Sequence, residues 1–483
     1  MTRRNFITQS AGLQAGDVFG RTAWGWESAP ALSIATFRFD VTPPLGHSLC
    51  GGWITPAQRI DGRLEAIGLV IRGAGAPIVL CAVDWTGVLN SAHLAFRAAL
   101  AEAAGTTPDR VAVQCVHQHD APFACLDAQR IVAPHPELPP ILDVDFFEAT
   151  LQAGAAALSA SLRHARPLTH VASAMAPVRE VAANRRILGP DGRVQSMRRS
   201  RCVEAALRAE PEGLIDPHLR TVGFYSGNER IAACHYYACH PMSLYGKGEV
   251  SPDFCGEARQ ALQETEPGCT HLYFSGCGGN VTAGKYNDGT PEARRGLRDR
   301  MLDGLQRSIA RLRPEPIRSV EWSTCELLPP PSPRWDADAL RRQIADPSQP
   351  VLARNRPAFA LAWLERVESG GPPLVLGALH VNDVSILNLP AELFVEYQLQ
   401  AQRIGAGRFV ACAAHGDGGP WYLPTREAFE QGGYEVGVTW SDERVEGVLL
   451  TAIERLLERD AHRRLPSARA LAVAGGSSTH GAG

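Results

Sequence analysis

The run "APIVLCAVDW", residues 76–85, stays apolar for eight residues before its first charge at Asp84. A run of this kind reads as a strand buried on both faces, so the fold needs a layer on each side of it. The following segment, "NSAHLAFRAALAEAAG" (90–105), changes to helical spacing, offers an N-cap candidate at its start and stops at a glycine. "RVAVQCVHQHD" (110–120) returns to strand character. The alternation continues with a helix over 143–165, a strand over 229–241, a helix over 254–265, a strand "HLYFSG" and a helix over 291–313. A proline-rich break, "LPPPSPRWD" (328–336), leads to two helical segments, a strand over 375–390 and a helix over 392–405. A strand over 408–417 and a closing helix over 442–461 complete the pattern. No sequence repeat is present. Strand and helix in turn predict one α/β catalytic unit with an insertion at the proline-rich break.

Composition narrows the function classes. The 483 residues are 45% hydrophobic and 20% charged, with a net charge of −3, which argues against a dedicated nucleic-acid surface. No run of 18 apolar residues occurs, so no transmembrane helix is expected. The 12 cysteines include no C-x-x-C pair and several lie in strand-like runs, which fits small buried thiols in a reducing compartment. Residues 1–30 read as a tail or a degenerate twin-arginine export signal carrying Arg3, Arg4 and Phe6, with Gln14 and Asp17 breaking the apolar stretch. The cytoplasm is therefore favoured over export to the periplasm. Residues 466–483 read as a flexible tail.

Chemistry is expected where strands run into loops. His117 and His119 lie two apart at the end of a predicted strand, and alternation would aim both into one pocket. A chain with 15 histidines would contain about half of one H-x-H pair by chance, so the pair needs partners elsewhere. His240 ends the strand that Pro241 stops, whereas His235 would face the other side and reads as structural. Glu392 opens a helix, where a carboxylate commonly serves the helix dipole. Tyr422 lies in a glycine-rich turn, where an aromatic is usually core. Nothing promotes His93, His380 or His415. "GNVTAGK" (279–285) matches the spacing of a phosphate-binding loop, but Tyr286 stands where Ser or Thr is required, and a turn follows. No G-x-S-x-G elbow occurs.

Taken in order, several segments resemble the catalytic domain of the neutral ceramidase family. They are "FDVTPPLGHSLCGGW" (39–53), "HQHDAP" (117–122), Asn184-Arg185, "YACHPMSL" (237–244), "GNVTAG" (279–284), "LPAELF" (389–394) and "YLPTREAFEQGGYEVG" (422–437). The likeness implies a mixed sheet with surrounding helices over residues 31–465. It implies that His117, His240, Glu392 and Tyr422 bind one Zn2+, that His119 gives and takes a proton, that Tyr434 steadies an oxyanion and that Arg185 contacts substrate. This sequence departs from the family at Asp120 (Ser), Asn280 (Asp), Thr282 (Ser), Ala283 (Pro) and Phe123 (Gly). Asp120, Asn280 and Thr282 are thus expected to shape substrate choice. The family's C-terminal immunoglobulin-like domain has no counterpart among the motifs.

The resemblance implies a zinc-dependent amidohydrolase of sphingolipid type, cleaving a small-molecule or lipid N-acyl substrate with water. Two other readings remain open on the sequence: a zinc hydrolase of an ester or acyl-sugar, and a lipid- or metal-binding protein without catalysis.

Overall fold

The computed structural model describes residues 31–458. The export-like segment, the tail from 466 and the expected end of the closing helix lie outside the described residues.

Three sheets form the framework, and all three are built alike. The first pairs Ser33–Asp40, Glu65–Arg72 and Ile78–Val83 antiparallel, then adds Val111–Cys115 parallel to Ile78–Val83. The second pairs His170–Pro177, His218–Ser226 and Glu229–Tyr237 antiparallel, then adds Thr270–Ser275 in parallel. The third pairs Val320–Leu327, Leu374–Val381 and Val384–Asn388 antiparallel, then adds Phe409–Ala413 in parallel. Each parallel strand is reached through one crossover helix, respectively Asn90–Ala104, Asp253–Thr265 and Val395–Ile404. A parallel neighbour requires such a crossover, so the strand–helix–strand alternation of the sequence has a direct structural cause. The threefold recurrence left no trace as a sequence repeat.

The sheets meet face to face. Leu80, Leu272 and Ile386, one from each sheet, belong to a common apolar core and are fully buried. On Ile78–Val83 the alternate residues Val79, Cys81 and Val83 face a second core with Phe96 and Leu100 of the first crossover helix. The apolar run is therefore buried on both faces, as its composition predicts.

Backbone bonds also tie the strand ends together. The Cys115 amide donates to the His415 carbonyl, and the Ala414 amide to the Ser275 carbonyl, both at 2.8 Å. The Ser275 hydroxyl donates to the Val116 carbonyl at 2.6 Å. The Gln114 side chain of the first sheet donates from Nε2 to the Leu389 and Ala413 carbonyls of the third at 2.9 and 2.8 Å. The C-terminal ends of the three parallel pairs thus converge on one point.

Several element limits differ from expectation. The strand over 375–390 is a hairpin that turns at Asn382, whose φ is +51°. Asn tolerates this left-handed backbone better than most residues, which suits a tight hairpin. The helix expected from 392 starts at Val395, and Glu392–Leu393 instead pairs parallel with Tyr422–Leu423. Residue 89, not 90, caps the first crossover helix, and Asp417 accepts a bond from the Asn90 amide at 2.8 Å. A partner more than three hundred residues away thus does the work of a local cap. The proline-rich break is not a loose linker: the Ser332 amide donates to the Trp440 carbonyl at 2.8 Å.

Candidate metal centre and cavity

Loops at the converging strand ends supply the site. Val111–Cys115 ends before His117, whose φ is +75°, so strand alternation does not aim His117 and His119. The turn does this instead. The Thr86 hydroxyl holds it, donating to the Gln118 and Ala121 carbonyls at 2.8 and 3.1 Å. His240 likewise lies beyond its strand, which ends at Tyr237, and its amide donates to Val281 O at 2.9 Å. Ala391 has φ +55° and Trp421 +67°, and the short strand pair between them holds Glu392 beside Tyr422. Non-glycine residues in this region cost roughly 1–3 kcal/mol each, and their clustering marks a site whose geometry the surroundings impose.

His117 Nε2 lies 3.2 Å from His240 Nε2, and Glu392 Oε2 lies 3.2 and 3.1 Å from these two nitrogens. Tyr422 Oη is 3.5 Å from His240 Nε2. The opposite ring nitrogens face carbonyls: His117 Nδ1 meets Thr86 O at 2.6 Å, and His240 Nδ1 meets Gly278 O at 2.7 Å. A carbonyl only accepts, so Nδ1 carries the proton in each neutral ring and both Nε2 atoms present bare lone pairs. Two lone pairs and a carboxylate oxygen converge with no proton between them. A cation resolves that arrangement. A tetrahedron with zinc–ligand distances of about 2.0–2.1 Å has edges of about 3.3 Å, which fits the observed separations. The donor types, two imidazoles with a carboxylate and a phenol, also suit zinc. The outward Nδ1–H bonds are the kind of support that orients metal-binding histidines.

His119 completes a three-histidine group, with Nε2 3.4 Å from His117 Nε2 and the rings nearly perpendicular. Its Nδ1 is 3.7 Å from Cys50 Sγ. Burial, reinforced by His117 and His240, holds its pKa well below the usual imidazole value. His415, for which the sequence offered no argument, stacks on His117 at 4.2 Å. Burial raises Glu392, and positive charge at the face shared with His117 and His240, a proton on an imidazole or a cation in its place, outweighs this and holds the carboxyl well below its usual range.

These groups line a cavity of about 320 Å³ whose other walls include Trp53, Phe123, Met242, Leu352 and Trp421. Arg185 and Tyr434 stand on its wall. Arg185 is buried; its Nε donates to Glu435 and its Nη2 to Gly279 O, both at 2.6 Å, and its guanidinium lies over the Tyr422 and Tyr434 rings. Tyr434 is 37% exposed, and Arg356 donates to its hydroxyl.

Asp120, Asn280 and Thr282 are not on the cavity wall. All three are buried and brace loops that are. Asp120 accepts from the Gly246 amide at 2.9 Å, and burial raises its pKa to about 7. Asn280 accepts from the Val395 amide and donates to Glu396, both at 2.9 Å. Thr282 donates to Arg198 O at 3.3 Å. These positions therefore reach the cavity only through the loops they brace. The phosphate-loop look-alike has a similar explanation: Gly279 is needed because a Cβ there would lie 2.6 Å from Glu392 O. Sequence reasoning missed Cys50, Tyr245 and Arg356. For Arg356, the one local cue is Pro357 inside its helix.

A second group, Glu266, Cys269 and His271, also has metal-ligand composition. There Arg230 already pairs with Glu266, so a guanidinium charge occupies the place of a cation.

The arrangement of three sheets with crossover strands is similar to the fold of solved ceramidase structures. The similar solved structures include a ceramidase complexed with C2 and the neutral ceramidase of Pseudomonas aeruginosa. The first is 15% identical with a TM-score of 0.65, over 88% of this chain and 75% of that one. The second is 15% identical with a TM-score of 0.63, over 91% of this chain and 77% of that one. No protein-family model matches the sequence, and no curated protein matches it.

Proposed function

We propose that this chain is a zinc-dependent hydrolase that cleaves the amide bond of an N-acyl substrate. The observation that carries the proposal is the convergence of two bare imidazole lone pairs and a carboxylate at 3.1–3.2 Å, opening onto a mainly apolar cavity. His117, His240, Glu392 and Tyr422 would hold the metal. A bound zinc ion supplies Lewis acidity, acidifying water at neutral pH and polarising an acyl oxygen.

The remaining roles belong to side chains. His119 is half-buried beside His117 and its pKa is held well below the usual imidazole value, so it is neutral and can accept a proton at Nε2 and deliver it to the leaving nitrogen. Tyr434 presents a hydroxyl whose oxygen already accepts from Arg356, which leaves its own proton free to donate to a developing oxyanion. Arg185, fixed by Glu435 and Gly279, orients the Tyr422 and Tyr434 rings and faces the substrate. Trp53, Phe123, Met242 and Leu352 offer an apolar surface to an acyl chain and displace water from the reacting groups. The ceramidase fold supports this reading, with ceramide as one substrate to be tried among other acylated amines.

Metal analysis of protein prepared without chelator should find about one zinc per chain. His119→Ala should keep that zinc and lose at least roughly a hundredfold in kcat on an N-acyl substrate. Folded protein without metal, or His119→Ala with undiminished turnover, would refute the proposal.

A further inference from the structure

Arg356 sits on the helix Val351–Glu368, one residue before Pro357. Its guanidinium lies 5.4 Å from the Trp53 ring, 5.9 Å from Trp421 and 5.5 Å from Tyr434. It donates to the Tyr434 hydroxyl, and among the described residues no carboxylate forms an ion pair with it. The other cavity cations differ. Arg185 shares the buried Glu435 with Arg186, which leaves one positive charge over for that trio. Arg199 adds an exposed guanidinium to the cavity wall. The only carboxylate on that wall, Glu392, is turned toward His117 and His240. The cavity therefore carries surplus positive charge even before any metal is considered.

Arg356 also lines a second cleft, of about 340 Å³, together with Trp335, Val438 and Trp440. Leu352 and Arg356 are common to both spaces. A ligand long enough to occupy both passes the guanidinium. Aromatic faces can hold an arginine in place by cation–π contact, but they leave most of its hydrogen-bond donors unused. A half-buried fork of this kind is suited to a carboxylate or phosphate, which it grips with two parallel bonds.

We propose that the site takes N-acyl substrates whose amine portion carries an anionic group, a carboxylate or a phosphate, and that Arg356 binds that group. The inference rests on the hydrolase reading above. Because Arg356 touches the hydroxyl of Tyr434, the anion is set one phenol oxygen away from the acyl group that Tyr434 serves. A neutral amide lacks this contact.

The test uses two compounds of equal acyl chain, an N-acylglycine and the matching N-acylethanolamine, with the O-phosphorylated ethanolamide as a third. Charge-assisted bonding predicts that kcat/KM for the glycine conjugate exceeds that for the neutral amide by about tenfold or more, mainly through KM. Arg356→Gln should bring the ratio close to one, and Arg356→Lys should retain part of it. A stronger preference for the phosphorylated compound identifies phosphate as the natural source of the anion. Equal wild-type rates on the charged and neutral amides would overturn the proposal and leave the hydrolase reading intact. So would an Arg356→Gln loss that falls on both alike, since this would mean that Arg356 acts only by positioning Tyr434. Calorimetric binding of the same compounds to zinc-loaded His119→Ala protein reads the anion contact without turnover. Tighter binding of the charged compound there, with no hydrolysis of either by the wild type, would sink the hydrolase reading and keep the anion site.

Discussion

At the scale of single residues, the structure gives neighbouring histidines different work. His117 and His119 are two apart, yet the turn at positive φ presents one to His240 and Glu392 and leaves the other against Cys50. A third histidine, His93, has no place in the chemistry. It is buried in the first crossover helix, and its Nε2 donates to Val113 O at 3.1 Å. Burial lowers its pKa to about 4. Between pH 6.5 and about 4 the unfolded chain takes up a proton at this position that the folded chain refuses, so stability falls as pH drops through that window. The loss is on the order of 3 kcal/mol when complete. His93→Gln keeps a donor for Val113 and has no proton to gain. Thermal melting across this range should therefore decline less steeply for the variant than for the wild type, and identical slopes would rule the idea out.

At the scale of elements, the junctions decide the site and the strands and helices carry it. Glu392 was expected to open a helix, but it sits in a two-residue strand that pairs with Tyr422 and is clamped from behind by the Gly279 amide on Leu393 O at 2.7 Å. A Cβ at residue 279 would meet the backbone oxygens of Glu392 and Leu393 at 2.6 and 2.8 Å. Backbone cannot swing aside as a side chain can. Gly279→Ala should thus displace the Glu392 segment, destabilise the protein by about 1–3 kcal/mol and weaken metal binding. Zinc titration beside a melting curve would read both effects. Full zinc affinity at wild-type stability would mean that the close approach does not hold the carboxylate.

At the scale of the whole molecule, three similar sheets share one interior core, and their parallel edge strands are bonded together beneath the cavity. Leu272 lies in that core on the second sheet's parallel strand, fully buried. Leu272→Ala should cost about 2–5 kcal/mol. Because the strand ends of all three sheets converge beneath the proposed metal ligands, it should lower the melting temperature with metal bound and without it. Denaturant unfolding of both forms tests this, and a change under about 1 kcal/mol would show that the core relaxes around the gap.

The sequence by itself determined the alternation of strands and crossover helices, the doubly buried run at 76–85, and the order of the motifs that resemble the neutral ceramidases. Those properties are local, set by apolar spacing and by residue type within a few turns of chain. It also named the residues that converge, His117, His240, Glu392 and Tyr422, through that resemblance. Only the tertiary structure decided how they converge, because the bonds responsible join positions far apart: Thr86 to the 117–121 turn, Trp421 to Glu392, Asp417 to Asn90. The same reason explains why Arg356 and His415 were not legible, and why Asp120, Asn280 and Thr282 stand behind the cavity wall. A side chain's spacing tells which face of an element it shares, whereas its distance from a residue on another sheet exists only once the sheets have packed.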